Sequence, residues 1–399
     1  MTSKRSRFRH LPPTAVPVTT RDLQAGLRTS SLTRELFRAD LASYLGIKPE
    51  ACKLASSGRT ALYCLLQGLK LERPSRLQIV MPAYTCPAVA RVAIDLKLQP
   101  IFVDLSPHSM RYKLEQLTTA VGEKTLAVVL VHPFGIPLPV DDIVALSHSA
   151  GAVVIEDAAQ ALGARWDGRP VGTRGDFGLF SLGPGKPIST GGGGIAIANH
   201  PGAIRTLNRG WAELPTPGSF GSAQAWIRQA SFQIAFHPRG WWAATRAGLH
   251  RVGNHEASWG YAVTNLTTAQ AGIGQALLPR LDEINAQRRH RAVVLAEAIK
   301  HSSSLQSINI DEGADPIFLR FPLIAESEQQ RENLFSELWA NGVGAGRLYE
   351  ETLPAIYPTN DDVSFPGAET IAHRLLTLPT HHYVTEEDLQ KISRILAET

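Results

Sequence analysis

Cysteine is scarce in this chain: its 399 residues include only Cys52, Cys64 and Cys86. An odd number without a Cys-x-x-Cys pair supports neither a disulfide framework nor a zinc site, so no metal is expected and a reducing, cytoplasmic compartment fits. Long apolar runs are also missing. No uninterrupted stretch reaches the roughly 18 residues of a membrane-spanning helix, and the basic start, MTSKRSRFRHLPP, has no apolar core behind it of the kind a secretory signal needs. Residues 1–20 therefore read as a disordered basic tail. An excess of one charge is lacking too. The 40 Lys+Arg nearly balance 36 Asp+Glu and are spread along the chain, which gives no footprint for nucleic acid. Charged residues at 19% and hydrophobic ones at 44% exclude a disordered or fibrous chain. We find no internal repeat or low-complexity tract.

What is present is organised around Val153–Ala196. VVIE is a short β-branched run long enough for a buried strand, and it delivers Asp157 at its carboxyl end, the edge where open α/β sheets bind ligands. A turn-rich segment follows, then the apolar run FGLFS, a loop carrying Lys186, and the glycine run Gly191–Gly194 leading into IAIA. An acid and a lysine in this arrangement fit a plain salt bridge. They also fit pyridoxal phosphate chemistry, in which a lysine holds an aldehyde as a Schiff base and a carboxylate keeps the ring nitrogen protonated.

Elsewhere, LQIVMP, PIFVD, TLAVVLVH, AVVIED and IAIAN alternate with helical stretches, the pattern of a mostly parallel sheet with crossover helices. These runs end near Tyr84, Asp104, His132 and Asp157; His132 reads equally as a site residue or a polar strand end. SSGRTAL starts a helix whose free N–H groups either seat a phosphate or form an ordinary cap. Residues 21–51 read as a helical lead-in stopped by Gly46, and 267–299 as one long amphipathic helix. We expect a large domain over 21–275 and a small α/β domain over 276–399, entered by that helix.

Residues 214–255 differ in kind: they hold no acid, four arginines (Arg228, Arg239, Arg246, Arg251) and three tryptophans (Trp226, Trp241, Trp242), with Pro238-Arg239-Gly240 dividing two helical pieces. A peripheral membrane contact, a lipid-linked substrate, a subunit contact and a helical pair packed on its own domain all remain open for this segment. Burying four unpaired arginines is costly, which favours the mouth of the site or the partner's surface.

EDAAQALGA, GRPVGTRGDFGLFS and the step from Ser181 to Lys186, together with SSGRTAL, VMPAYTC, PIFVD, VHPFG, RLDEINAQRR and LTLPTHHYVTEEDL, run in order over residues 35–399. In that order they resemble the DegT/StrS-type family of pyridoxal-phosphate-dependent sugar aminotransferases. The resemblance implies an α/β protein of fold type I, a mostly parallel mixed sheet sandwiched by helices with a smaller C-terminal α/β domain. It implies the cofactor pyridoxal 5'-phosphate and a homodimer with its sites at the subunit boundary. The implied reaction moves an amino group from glutamate or glutamine to a keto-sugar nucleotide or related polyol in polysaccharide or secondary-metabolite biosynthesis. Another pyridoxal phosphate reaction, or a non-catalytic protein of the same fold, is the alternative.

By the same resemblance Lys186 holds the cofactor and acts as catalytic base, Asp157 pairs with the ring nitrogen, Gln160 lies near the ring hydroxyl, and Ser181 with Gly58, Arg59 and Thr60 binds the phosphate. Three positions depart from the family pattern. Cys86 stands where an aromatic ring usually stacks on the cofactor, so that either its sulfur or Tyr84 covers the ring. The glycine run lacks the usual acid, and only Asn265 stands near the place of the asparagine and arginine that reach the partner's site. Arg320, Arg347 and Arg374 are unranked candidates for the carboxylate of the amino donor.

Overall fold

The computed structural model describes residues 8–248, 260–358 and 363–399. The main sheet has seven strands in the spatial order Cys52–Ala55, Gly194–Ala198, Phe177–Ser181, Val153–Asp157, Thr125–Val131, Gln78–Pro82 and Gln99–Val103. The last five are mutually parallel, and Gly194–Ala198 runs antiparallel to both its neighbours. Strands buried on both faces read as continuous apolar runs, and VVIED, FGLFS and GIAIA are buried along their whole lengths. All five parallel strands end at one edge, where Asp157 lies in register with Val131 and Leu179.

Helices cover both faces. Gly58–Glu72 and Pro201–Trp211 pack backbone to backbone: a Cβ on Gly210 would stand 2.0 Å from the Cys64 carbonyl oxygen. The second layer holds the antiparallel strands Leu305–Ser307, Arg320–Ala325 and Leu375–Pro379, in that order, packed by Leu281–Ile299, Glu328–Ala340 and Glu386–Glu398.

Three expectations change. Residues 8–19 are not a loose tail: Leu11 is fully buried and pairs with Val343, and Arg9 makes two 2.7 Å bonds to the Asp388 carboxylate. An apolar leucine gains about 2 kcal/mol by such burial, enough to dock a short segment. Residues 1–7 lie outside the described residues. The expected single helix over 267–299 is divided into Thr268–Leu277 and Leu281–Ile299 by a tight turn, Leu278–Arg280, because Pro279 has no N–H to continue the ladder. The lead-in is two helices, Thr20–Leu27 and Thr33–Leu45, the second ended by Gly46 with φ 70° as expected.

The arginine- and tryptophan-rich segment forms Ser219–Ala235 and Pro238–Arg246; its residues 249–255, including Arg251, lie outside the described residues. Its tryptophans find cover in their own chain. Trp226 donates to the Leu23 carbonyl at 2.8 Å, and buried Trp241 stacks on Phe236. Of the readings left open for this segment, such cover fits a helical pair packed on its own domain. Phe220, Ile227 and Ile234 stay exposed on the outer face.

Candidate active site

Asp157 is 6% exposed at the end of its strand. Neighbouring side chains of a strand point to opposite faces, so Asp157 and Glu156 serve different structures. Glu156 is completely buried and accepts bonds from His132 Nε2 at 3.0 Å and from the N–H groups of Gly172, Arg174 and Gly175 at 2.8, 2.7 and 2.6 Å. His132 Nδ1 accepts from the Leu138 N–H, which leaves its proton on Nε2, facing Glu156. His132 is therefore a structural pin under the site. Asp104 is another: it accepts from the N–H groups of Gly367 and Ala368 and ties the helix Pro366–Arg374 to the sheet.

One oxygen of Asp157 accepts from the Ala159 N–H at 3.0 Å. Burial raises its carboxyl above the usual range, opposed by that N–H and by the charges of Lys186 and His132. Lys186 sits in the turn Gly183–Lys186, closed by its own N–H to the Gly183 carbonyl. Lys186 is half-buried, and desolvation pulls its amine below the ordinary lysine range; Cys86 and Asp157 oppose the shift and Arg320 adds to it. Lys186 and Asp157 feel each other's charge without forming an ion pair among the described residues. The plain salt-bridge reading is thereby excluded.

The loop is held from outside. Arg288, fully buried on the helix Leu281–Ile299, donates to the Pro187 carbonyl at 3.0 Å and to Asn285 Oδ1 at 2.8 Å, while Asn285 donates to the Leu162 carbonyl. Neither residue was singled out from sequence. Their only signal was membership of RLDEINAQRR, and what they grip lies more than a hundred residues away. The glycine run has a local reason to lack an acid: Gly191, Gly192 and Gly193 have φ of 76°, 155° and 122°, and a Cβ on Gly192 would meet Arg228 and Gln270.

Gln160 Oε1 accepts from the Phe134 N–H at 3.2 Å, which turns its Nε2 outward as a donor. Gly58 begins the helix beside Ser181, and Ser181 Oγ accepts from the Gly183 N–H, leaving its own proton to donate. Thr60 is already committed: its N–H is capped by Ser57 and its hydroxyl bonds to the Ala262 carbonyl. The Arg59 guanidinium lies over the Tyr261 ring, so what Arg59 offers an anion is its backbone N–H. Tyr84 donates to the Leu348 carbonyl and meets Tyr349 edge-on at 5.8 Å, while Cys86 beside Tyr349 helps burial to hold the Tyr349 hydroxyl well above its ordinary range. Tyr349 was missed from sequence. With Tyr84, Gln160, Met110, Tyr112 and Phe134 it lines a cleft. Asn265 donates to the Leu214 carbonyl and to Thr216, and so fastens the start of the Arg/Trp-rich segment.

Pyridoxal phosphate fits these groups. The space beside Gly58 is one that a side chain would fill, Asp157 keeps an oxygen without a protein partner, and the half-buried Lys186 makes no ion pair among the described residues. A doubly layered α/β fold with a lysine, a carboxylate and an anion seat converging at the sheet edge defines a pyridoxal-phosphate-dependent transferase. Comparison with known proteins places it more closely. The chain belongs to the DegT/DnrJ/EryC1/StrS aminotransferase family, whose model matches residues 18–397. It is accordingly an aminotransferase with pyridoxal phosphate as cofactor. Similar curated proteins include the UDP-N-acetyl-3-dehydro-alpha-D-glucosamine 3-aminotransferase of Acidithiobacillus ferrooxidans, 26% identical over 86% of this chain and 83% of that protein. The GDP-perosamine synthase of Vibrio cholerae is 23% identical over 89% and 88%. In fold, the chain is similar to the crystal structure of the aminotransferase TlmJ from Streptoalloteichus hindustanus, with a TM-score of 0.79, 21% identity and 98% of each chain covered.

Proposed function

We propose that this aminotransferase takes an amino group from glutamate or glutamine and delivers it to a keto group on a nucleotide-linked sugar or related polyol, acting as a cytoplasmic homodimer. The observation that carries the reading is that buried Asp157, at the carboxyl end of its strand with one oxygen free of protein partners, and Lys186 stand close enough to feel each other's charge without an ion pair. The sugar assignment is supported by the two curated relatives, whose names specify nucleotide sugars. Bound here, pyridoxal phosphate supplies an aldehyde that captures amines and a ring that draws electrons from the carbon bearing the nitrogen.

The protein's part is to bind, orient and move protons. Gly58, Arg59 and Ser181 seat the phosphate, with Thr60 shaping the helix start rather than donating. Asp157, fixed by Ala159, offers its second oxygen to the ring nitrogen and favours its protonated form. Gln160 directs Nε2 toward the ring oxygen, and Cys86, beside Tyr349, faces the ring where an aromatic side chain is usual. Lys186 holds the cofactor. Once the donor's amine has taken its place, its Nζ, whose basicity burial lowers, moves the proton at the amine-bearing carbon.

A homodimer is supported by Phe220, Ile227 and Ile234, which are 83%, 60% and 72% exposed at seven-residue steps along one helix face. This stripe favours a second copy over a membrane surface. The Arg228 guanidinium reaches toward Gly192 and that of Arg246 lies over Trp242. Among the described residues no helix is long and apolar enough to cross a membrane.

Borohydride reduction and peptide mapping test the assignment of the site. The pyridoxyl group should be found on Lys186, and Lys186→Ala should lose the visible absorbance of the bound cofactor and all turnover while keeping its fold. Label on another lysine refutes the site. A screen of keto-sugar nucleotides against glutamate and glutamine tests the reaction.

A further inference from the structure

Asn285 and Arg288 are each 1% exposed and lie about one turn apart on the helix Leu281–Ile299. Arg288 Nη2 donates at 3.0 Å to the carbonyl of Pro187, the residue that follows Lys186. Its Nη1 donates to Asn285 Oδ1 at 2.8 Å, and Asn285 Nδ2 donates to the Leu162 carbonyl at 3.2 Å. Leu162 belongs to the turn that leaves Asp157, in which the Ala161 N–H bonds back to the Ala158 carbonyl. Gly163, with φ 95°, gives Asn285 its place, because a Cβ there would collide with Nδ2. The lysine loop and the carboxylate turn are thus joined through two side chains of a third element. That element is rooted in the second layer: Arg291 Nε donates to the Val384 carbonyl at 2.9 Å, and Leu295 and Ile299 lie in the core of the small domain.

The loop has little else to hold it. Pro184 and Pro187 carry no N–H, and among the described residues its backbone closes through Lys186 N–H to the Gly183 carbonyl at 3.3 Å and Thr190 N–H to the Leu182 carbonyl at 3.0 Å. Arg288 has no carboxylate partner among the described residues, and its Nε makes no hydrogen bond. Burial and the charge of Arg291 pull it below the ordinary arginine range. A buried cation without a counter-charge is costly, so packing alone does not account for it. A guanidinium suits the place because one rigid plane reaches two acceptors at once, which the single ammonium of a lysine does not. We propose that Arg288 and Asn285 are positioning residues that set the spacing between Lys186 and Asp157 for amino transfer and tie that spacing to the small domain; the proposal rests on the aminotransferase reading above. Neither residue touches the reacting atoms. Lys186 and Asp157 must serve two ends of one rigid ring, so the cofactor cannot absorb an error in their separation. A displacement on the order of 1 Å costs such a site about 100-fold in rate.

The test compares the wild type with Asn285→Ala, Arg288→Lys and the double variant. Asn285→Ala cuts the link to Leu162, while Arg288→Lys keeps the charge and gives up one of the two acceptors. In the apo-proteins, amide hydrogen exchange read by mass spectrometry should quicken about 10-fold over residues 183–190 and 158–164 and stay as in the wild type over the strand Leu375–Pro379. In the cofactor-loaded proteins kcat should fall about 30-fold in each single variant, with the half-saturating glutamate concentration within about 2-fold of the wild type. The double variant should be no slower than the slower single one, because the two residues form one chain of bonds. Unchanged kcat in both single variants overturns the proposal. So does a loss of kcat accompanied by faster exchange over the whole chain, which marks general loosening, and so do effects that multiply in the double variant. Should Arg288→Lys fail to fold, Asn285→Ala decides by the same two readings. If the wild type consumes no amino acid at all, the aminotransferase reading itself fails. Exchange in the apo-proteins then still decides about the clamp, because an unchanged rate over 183–190 in Asn285→Ala removes it.

Discussion

Gly58 and Ser181 meet at the carboxyl edge of the sheet, where a Cβ on Gly58 would stand 3.2 Å from the Ser181 Cβ and 3.3 Å from its Oγ. The helix start and the strand end thus approach so closely that a side chain at Gly58 would crowd Ser181 and the N–H groups beside it. Gly58→Val should raise the dissociation constant of pyridoxal phosphate by about 100-fold, and Ser181→Ala, which removes one bond to a charged group, by about 10-fold. Fluorescence titration of the apo-protein measures both. Unchanged affinity in Gly58→Val would mean that the phosphate sits elsewhere.

Asp157→Asn should still bind the cofactor, because the phosphate seat and Lys186 are untouched. A neutral amide cannot favour the protonated ring nitrogen, and we expect kcat to fall by about 100- to 1000-fold. Steady-state kinetics beside an absorbance spectrum checks this. Near-normal turnover with a normal spectrum would falsify the role given to this carboxylate.

Glu156 contributes to stability and to its pH dependence. Burial alone would raise its carboxyl, but the bonds from His132, Gly175 and Gly172 outweigh burial and the net shift is downward. A carboxylate whose folded pKa lies below its unfolded one stabilises the fold above the unfolded value, about 4.3 for Glu, and loses that contribution as pH falls through the folded value. Glu156→Gln faces backbone N–H donors with an NH2 group and should cost about 3 kcal/mol at pH 7. Urea unfolding should show the gap between variant and wild type narrowing on acidification below pH 4. A gap independent of pH would remove the charge from the explanation.

Ile227 lies in the middle of the exposed row formed with Phe220 and Ile234. Each step of seven residues is close to two helical turns, so the three share one face. Ile227→Glu would place a charge where a second copy packs, and it should shift the protein toward monomer without lowering its thermal midpoint by more than about 2 °C. Sedimentation equilibrium reads the mass. A variant with the wild-type mass would rule this face out as the subunit contact.

The sequence determined by itself the sheet, the Arg/Trp-rich helical pair and the groups at the heart of the site. These are local signals: a β-branched run ending in Asp157, a turn bearing Lys186 between prolines, a Ser-Gly helix start at Gly58. The physical reason is that strand burial and helix capping depend on neighbours within a few residues. Tertiary structure alone decided which side chains share a space. Tyr349 meets Cys86, Arg288 grips Pro187, and Leu11 docks at Val343. Composition around Arg320, Arg347 and Arg374 does not distinguish them. Packing separates them: Arg347 pairs with Glu332 and Glu350, and Arg374 is exposed. Packing also sent Glu156 and Asp157, adjacent in sequence, to opposite faces of one strand, making the first a structural pin and placing the second in the site.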